Sequence, residues 1–178
     1  MKTAQMIGSF FRDILNQLDD NGKKDLEKII HMKNPQLVEN FIEEHDVGHF
    51  LRDARGNTLL HLSMGSLFPK NIVPLLENGL DVSAVNYNGD TPLHFGCTTF
   101  CIDNLKKLLL AGANLQATNN CGETCLHIAA RYGRTQVIEF LLEKGIDVKT
   151  QNYQGKTALD ITIETEQYEV SSLLVKTA

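Results

Sequence analysis

Between Arg52 and Ala178 the apolar residues fall into paired short blocks. The first block of a pair is compact, as in Leu93-His94-Phe95-Gly96-Cys97 and Leu126-His127-Ile128-Ala129-Ala130. The second carries the i, i+3, i+4 spacing of an amphipathic helix, as in Val137-Ile138-Phe140-Leu141-Leu142. Polar segments such as Asp53-Ala54-Arg55-Gly56 and Asn86-Tyr87-Asn88-Gly89 precede each pair, and their Asp, Asn and Gly favour a tight reversal. Each pair therefore predicts a turn, a short helix, a loop and a second helix.

The pattern recurs every 33 residues. Gly56, Gly89, Gly122 and Gly155 keep that interval, as do Thr58, Thr91, Thr124 and Thr157 and the column Leu60, Leu93, Leu126 and Leu159. His61, His94 and His127 form a further column, with Asp160 in the fourth place. The threonines are placed to N-cap the first helices, and Pro92 stands at a first helical position, where its missing N–H is harmless. Gly79, Gly112 and Gly145 repeat at 33 as well and are placed to stop the second helices as C′ residues. Columns in one register over this length define a repeat protein.

The stretch Gly89-Asp90-Thr91-Pro92-Leu93-His94, echoed by Gly122-Glu123-Thr124-Cys125-Leu126-His127 and Gly155-Lys156-Thr157-Ala158-Leu159-Asp160, resembles the ankyrin-repeat signature. The resemblance implies an all-α ankyrin-repeat solenoid of helix–loop–helix units whose turns project as fingers. It also implies that the recurrent histidine bonds between adjacent units. The expected divisions are an N-terminal helix at 1–21, a degenerate capping repeat at 22–52, repeats at 53–85, 86–118 and 119–151, and a C-terminal capping repeat at 152–178. The worn repeat rests on Leu26-Ile29-Ile30 and Val38-Phe41-Ile42. The first segment carries an amphipathic stripe of Ile7, Phe10, Phe11, Ile14 and Leu18, which suits either a cover for the end of the stack or a partner-binding helix. In the last unit Glu164, Thr165, Glu166, Gln167 and Glu169 supply the polarity that an outer cap needs.

Composition narrows the function. With 17 Lys+Arg against 22 Asp+Glu in 178 residues, the net charge is −5, the opposite of a phosphate-binding footprint, so no nucleic acid partner is expected. No apolar run approaches the roughly 20 residues of a membrane span. The charges Arg12 and Asp13 interrupt any secretory signal near the start, and reduced cysteines suit a cytoplasmic setting, with the nucleus as a second compartment.

Candidate chemistry is sparse. The four cysteines, Cys97, Cys101, Cys121 and Cys125, are scattered by the register over a small-residue column, an inter-helix loop, a finger tip and the proline place, which argues against a zinc tetrahedron. Cys125 and His127 are i, i+2 on a helix and do not face each other. The cluster Glu43-Glu44-His45-Asp46-Val47-Gly48-His49 has metal-capable side chains, and a metal-binding protein using His45 and His49 is the remaining reading of another class. No phosphate loop or H-E-x-x-H motif occurs. No catalytic residue, cofactor or small-molecule substrate is expected, and the chain reads as a non-enzyme.

What remains is surface. In ankyrin proteins the finger tips and the exposed side of the first helices meet the partner. The resemblance carries this role here to Arg55, Tyr87, Asn88, Asn120 and Tyr153 at the tips and to Asn57, Asp90, Glu123 and Lys156 after the turn glycines. Thr98, Thr99, Arg131 and Tyr132 join them at the ends of the first helices. Tyr87, Tyr132 and Tyr153 are the preferred anchors, because tyrosine is enriched at binding hot spots. The finger and helix text, including Ala117-Thr118-Asn119, is similar to the ankyrin domain of the IκB inhibitors of Rel/NF-κB transcription factors. The chain has no Asp-Ser-Gly degradation motif in its first 50 residues and no Pro/Glu/Ser/Thr-rich tail. In this it resembles the short viral IκB mimics of insect polydnaviruses, the vankyrins. That resemblance implies a decoy inhibitor of Rel factors that suppresses immune signalling. An adaptor or scaffold for an unrelated protein is the alternative.

Overall fold

The computed structural model describes residues 52–64 and 72–176. The stretch 1–21, the rest of the worn repeat and the His45/His49 cluster lie outside the described residues. Among those described there are eight helices and no strand: α1 (Leu59–Ser63), α2 (Ile72–Glu77), α3 (Pro92–Gly96), α4 (Ile102–Leu110), α5 (Cys125–Arg131), α6 (Thr135–Glu143), α7 (Ala158–Glu164) and α8 (Tyr168–Val175). They pair into four units, α1/α2 to α7/α8. First helices pack on first helices, second on second, and the substantial contacts run within a unit or to the next one. This nearest-neighbour arrangement is that of an all-α ankyrin-repeat solenoid.

The repeated columns build each unit. Thr58, Thr91, Thr124 and Thr157 are N-caps with extended backbone, each closed by a capping box with the residue three places on. In the first three units that residue is histidine, which then reaches into the next unit. His61 Nε2 donates to Asp90 O at 2.8 Å, His94 Nε2 to Glu123 O at 3.0 Å and His127 Nε2 to Lys156 O at 3.0 Å. A second ladder runs beside the first. Asn86 Nδ2 donates to Asn57 Oδ1 and Asn119 Nδ2 to Asp90 Oδ1, both at 2.8 Å. The fingers are joined by backbone bonds of 3.0 Å from Tyr87 N to Arg55 O, Asn120 N to Asn88 O and Tyr153 N to Cys121 O.

Both side-chain ladders change chemistry in the fourth unit. Asp160 keeps the capping box but takes the place of the reaching histidine. Lys156, which has no acceptor, takes the place of the amide or carboxylate and pairs instead with Glu164 at 2.6 Å. The outer face of this unit exposes the expected Glu164, Glu166 and Glu169, but also Ile163 and Val175. Their counterparts one unit earlier are Ala130, which is buried, and Leu142, which is half-buried.

The core is a continuous apolar seam. Leu60, Leu93 and Leu126 from the first helices and Leu105, Leu108, Ile138 and Leu141 from the second are at most 1% exposed. Gly96 lies where Met64 of the previous unit and Leu105 crowd in, so that a Cβ there would meet both side chains. The small-residue column thus lets neighbouring helices close up.

Candidate protein-binding surface

Fingers and first helices meet in one cleft of about 490 Å³ between the second and third units. The finger side contributes Tyr87, Asn88, Asn120 and Cys121, and the helix side Phe95, Thr98, Ile128, Arg131 and Tyr132. The helices come to this face because Thr91 and Thr124 fix the start of α3 and α5 directly behind the finger glycines. Asp90, Glu123 and His94 line it as well.

The electrostatics of the cleft are largely internal. Arg131 Nη1 donates to Glu123 Oε2 at 2.9 Å, and Nη2 grips Oε1 of the same carboxylate in a forked pair. The Arg131 hydrogen bond is the main reason the Glu123 carboxyl sits below the usual carboxylate range; burial opposes it. Burial likewise holds His61, His94 and His127 below the ordinary imidazole value near 6.5. In each, Nδ1 receives the threonine backbone N–H at 3.2 Å while Nε2 faces a carbonyl, so the ring is the neutral Nε2–H form.

The expected site residues divide by environment. Tyr87 and Tyr153 project at finger tips and are 71% and 80% exposed, and Tyr132 is half exposed. Asn88, Asn120 and Arg55 are exposed at the tips, while Thr98 and Thr99 are half-buried with their hydroxyls turned to Phe95 O and Gly96 O. The column after the turn glycine departs from expectation. Asn57 is 1% exposed and Glu123 7%, because their side chains bind Asp53 and Asn86, and Arg131. Asn57 thereby ties its finger to the next one, while Glu123 lines the cleft with both carboxylate oxygens held by Arg131 of its own unit. Asp90 and Lys156 in the same column stay half exposed. Tyr153, Lys156, Arg55 and Thr99 stand outside the cleft.

Two features escaped the sequence reading. Arg134 reaches back 36 residues, donating from Nε to Thr98 O at 2.8 Å, and its guanidinium lies 4.0 Å over the exposed Phe100 ring and 5.9 Å from that of Tyr132. A cation with an aromatic two residues before it was the available signal; the partner ring lies in another unit. The register also separates Cys97 from Cys125, yet both are fully buried and adjacent, since the end of α3 packs beside the start of α5. Burial, and then the Cys97 thiol, push the Cys125 thiol well up, the reverse of a reactive thiolate. Both remain free thiols. Among the described residues no three His, Cys, Asp or Glu side chains gather as a metal-holding group, and no helix is long and apolar enough to cross a membrane.

Comparison with known proteins agrees with the architecture. Residues 100–178 match the family model for ankyrin repeats in three copies. No curated protein sequence matches the chain. The helical stack is an ankyrin-repeat solenoid, a protein–protein interaction module.

Proposed function

We propose that this chain is a non-catalytic binding module whose partner seats on the finger tips and first helices, with Tyr87, Tyr132 and Tyr153 as anchors. Arg55, Asn88, Asp90, Thr98, Asn120 and Arg131 surround them. The observation that carries this reading is the cleft itself, which gathers aromatic rings and polar tips from two units onto one accessible face. Ordinary surfaces rarely group exposed large aromatics in this way. The partner we propose is a Rel/NF-κB transcription factor, held by an IκB-like decoy in the cytoplasm or nucleus of a cell whose immune signalling it suppresses. Support for that partner comes from the similarity of the finger and helix text to the IκB ankyrin domain.

Immobilised full-length protein, challenged with purified Rel-homology domains and with insect and vertebrate extracts, tests the proposal. Retention of a Rel factor at micromolar affinity or better is the expected result. Should no Rel-homology domain be retained, the decoy reading is lost, and mass spectrometry of whatever is captured identifies the partner of an adaptor.

A further inference from the structure

The charges lining the cleft do not cancel. Both terminal nitrogens of Arg131 are committed to Glu123, which makes that pair neutral as a unit. The neighbouring His94 is buried and uncharged, with Nε2 given to Glu123 O. The carboxylate of Asp90 is left over, half exposed, with one oxygen taking Asn119 Nδ2 at 2.8 Å. Three aromatic rings, Tyr87, Phe95 and Tyr132, share the lining with it. A lone carboxylate beside π faces attracts a cation, by Coulomb attraction and by the ring quadrupoles together. The same contact is already made close by, where Arg134, which does not line the cleft, rests 4.0 Å over Phe100 and 5.9 Å from the Tyr132 ring. The net charge of −5 favours approach of a basic partner from a distance.

We propose that the cleft between the second and third units takes a cationic side chain, lysine or arginine, presented by the protein partner. The carboxylate of Asp90 anchors the charge, and Tyr87, Phe95 and Tyr132 enclose the alkyl stem and the cationic head. This proposal rests on the protein-binding reading above, without depending on which protein the partner is.

The test uses the full chain and four blocked heptapeptides of Gly and Ser with a central Arg, Lys, Glu or norleucine, titrated by amide NMR. The Arg and Lys peptides are expected to shift Asn88, Phe95, Thr98, Asn120 and Tyr132, with the Glu and norleucine peptides at least tenfold weaker. Asp90→Asn is expected to weaken the Arg peptide at least fivefold. It leaves the fold intact, because Asn57 fills the equivalent place in the first unit and accepts the same 2.8 Å amide bond. Tyr132→Ser, at a half-exposed site, is expected to weaken it as well. Equal shifts with the Glu peptide, no shift with any peptide, or unchanged Arg affinity in folded Asp90→Asn each overturn the proposal. If Rel domains are not captured while the Arg peptide still titrates the cleft, the partner falls and the cleft stands. Capture of a Rel domain with no cationic preference at the cleft gives the reverse.

Discussion

The ring of Tyr153 lies on Gly122 of the preceding finger, where a Cβ would stand 2.7 Å from Cδ1. Tyr87 lies in the same way on Gly56, at 2.8 Å. Each glycine therefore does two jobs: it turns the finger at positive φ, +73° for Gly122 and +76° for Gly56, and it leaves a flat seat for the next ring. The exposed tyrosines are thus held in place before any partner arrives, which lowers the entropy lost on binding.

Gly122→Ala should destabilise the protein by about 2–3 kcal/mol, of which about 1–2 kcal/mol is the left-handed backbone of a non-glycine residue and the rest the displaced ring. Tyr153→Ala, at an 80% exposed site, should cost no more than about 1 kcal/mol while weakening partner binding. The double variant should be less destabilised than the sum of the two, since the second change removes the clash created by the first. Urea denaturation of the four proteins decides it. Strict additivity would mean that the ring does not rest on the glycine.

Asn104 is the one buried side chain among the described residues with an unpartnered polar atom, its Oδ1. Its Nδ2 donates to Ser63 O at 3.3 Å, a long bond. The corresponding residues of α6 and α8 are Val137 and Val170, each 1% exposed. Asn104→Val should stabilise the protein by about 1 kcal/mol, because the orphaned oxygen costs more than the weak bond returns. A rise of roughly 2–4 °C in the thermal midpoint is the corresponding shift for a chain of this size. A lowered midpoint would assign the amide a bonding role that the valines of the other units cannot fill.

The repeat register made the fold legible because it reports backbone needs that recur in every unit: a turn glycine, a capping threonine, a helix-stopping glycine. Contacts that belong to one unit pair alone were hidden. Asn57 and Glu123 look like surface residues by position, since a polar residue after a turn glycine is ordinarily solvated. The next finger, stacked against it, turns Asn57 inward, and the Arg131 guanidinium, brought round by α5, closes over Glu123. The approach of Cys97 to Cys125 and the placing of Arg134 over Phe100 likewise depend on how two helices sit across a unit boundary, which spacing within a unit does not encode. The cleft was legible as a set of columns. Its charge was not, because the cancellation of Glu123 by Arg131 is a matter of geometry eight residues apart.

Glu166 holds φ at +58°, the only non-glycine residue with positive φ among those described. It stands where the previous unit has Gly133, at φ +61°, and both close the same helix end: Gly133 N bonds Ala130 O and Arg134 N bonds Ala129 O, as Glu166 N bonds Ile163 O and Gln167 N bonds Thr162 O. The exposed side chain offers little to offset the strain. Glu166→Gly should therefore raise stability by about 0.5–1 kcal/mol, the left-handed penalty exceeding the added flexibility of the unfolded chain. Thermal melts of this variant beside Gly133→Ala, which should lose stability, check both directions. Lower stability in Glu166→Gly would rule the strain out.

His61, His94 and His127 link folding to pH. Each is buried and neutral, its pKa held below 6.5 by burial. A proton on Nδ1 would also face the threonine N–H that now donates there. Below pH 6.5 the unfolded chain takes up protons that the folded chain refuses. The stability is therefore fully present above about pH 6.5 and is lost as the pH falls towards the folded-state values, by up to about 1.4 kcal/mol per pH unit for each histidine. Glu123 and Asp160, whose pKa values are depressed by the Arg131 and Thr157 hydrogen bonds, contribute their own loss only below their ordinary values of 4.5 and 3.8. The interval from pH 6.5 to 5 thus isolates the histidines. Urea midpoints should be level from pH 8 to 7 and fall steadily to pH 5, and imidazole NMR titrations should place all three rings below 6.5. A flat stability profile with any of these rings titrating above that value would contradict the neutral, inter-unit role of the histidine column.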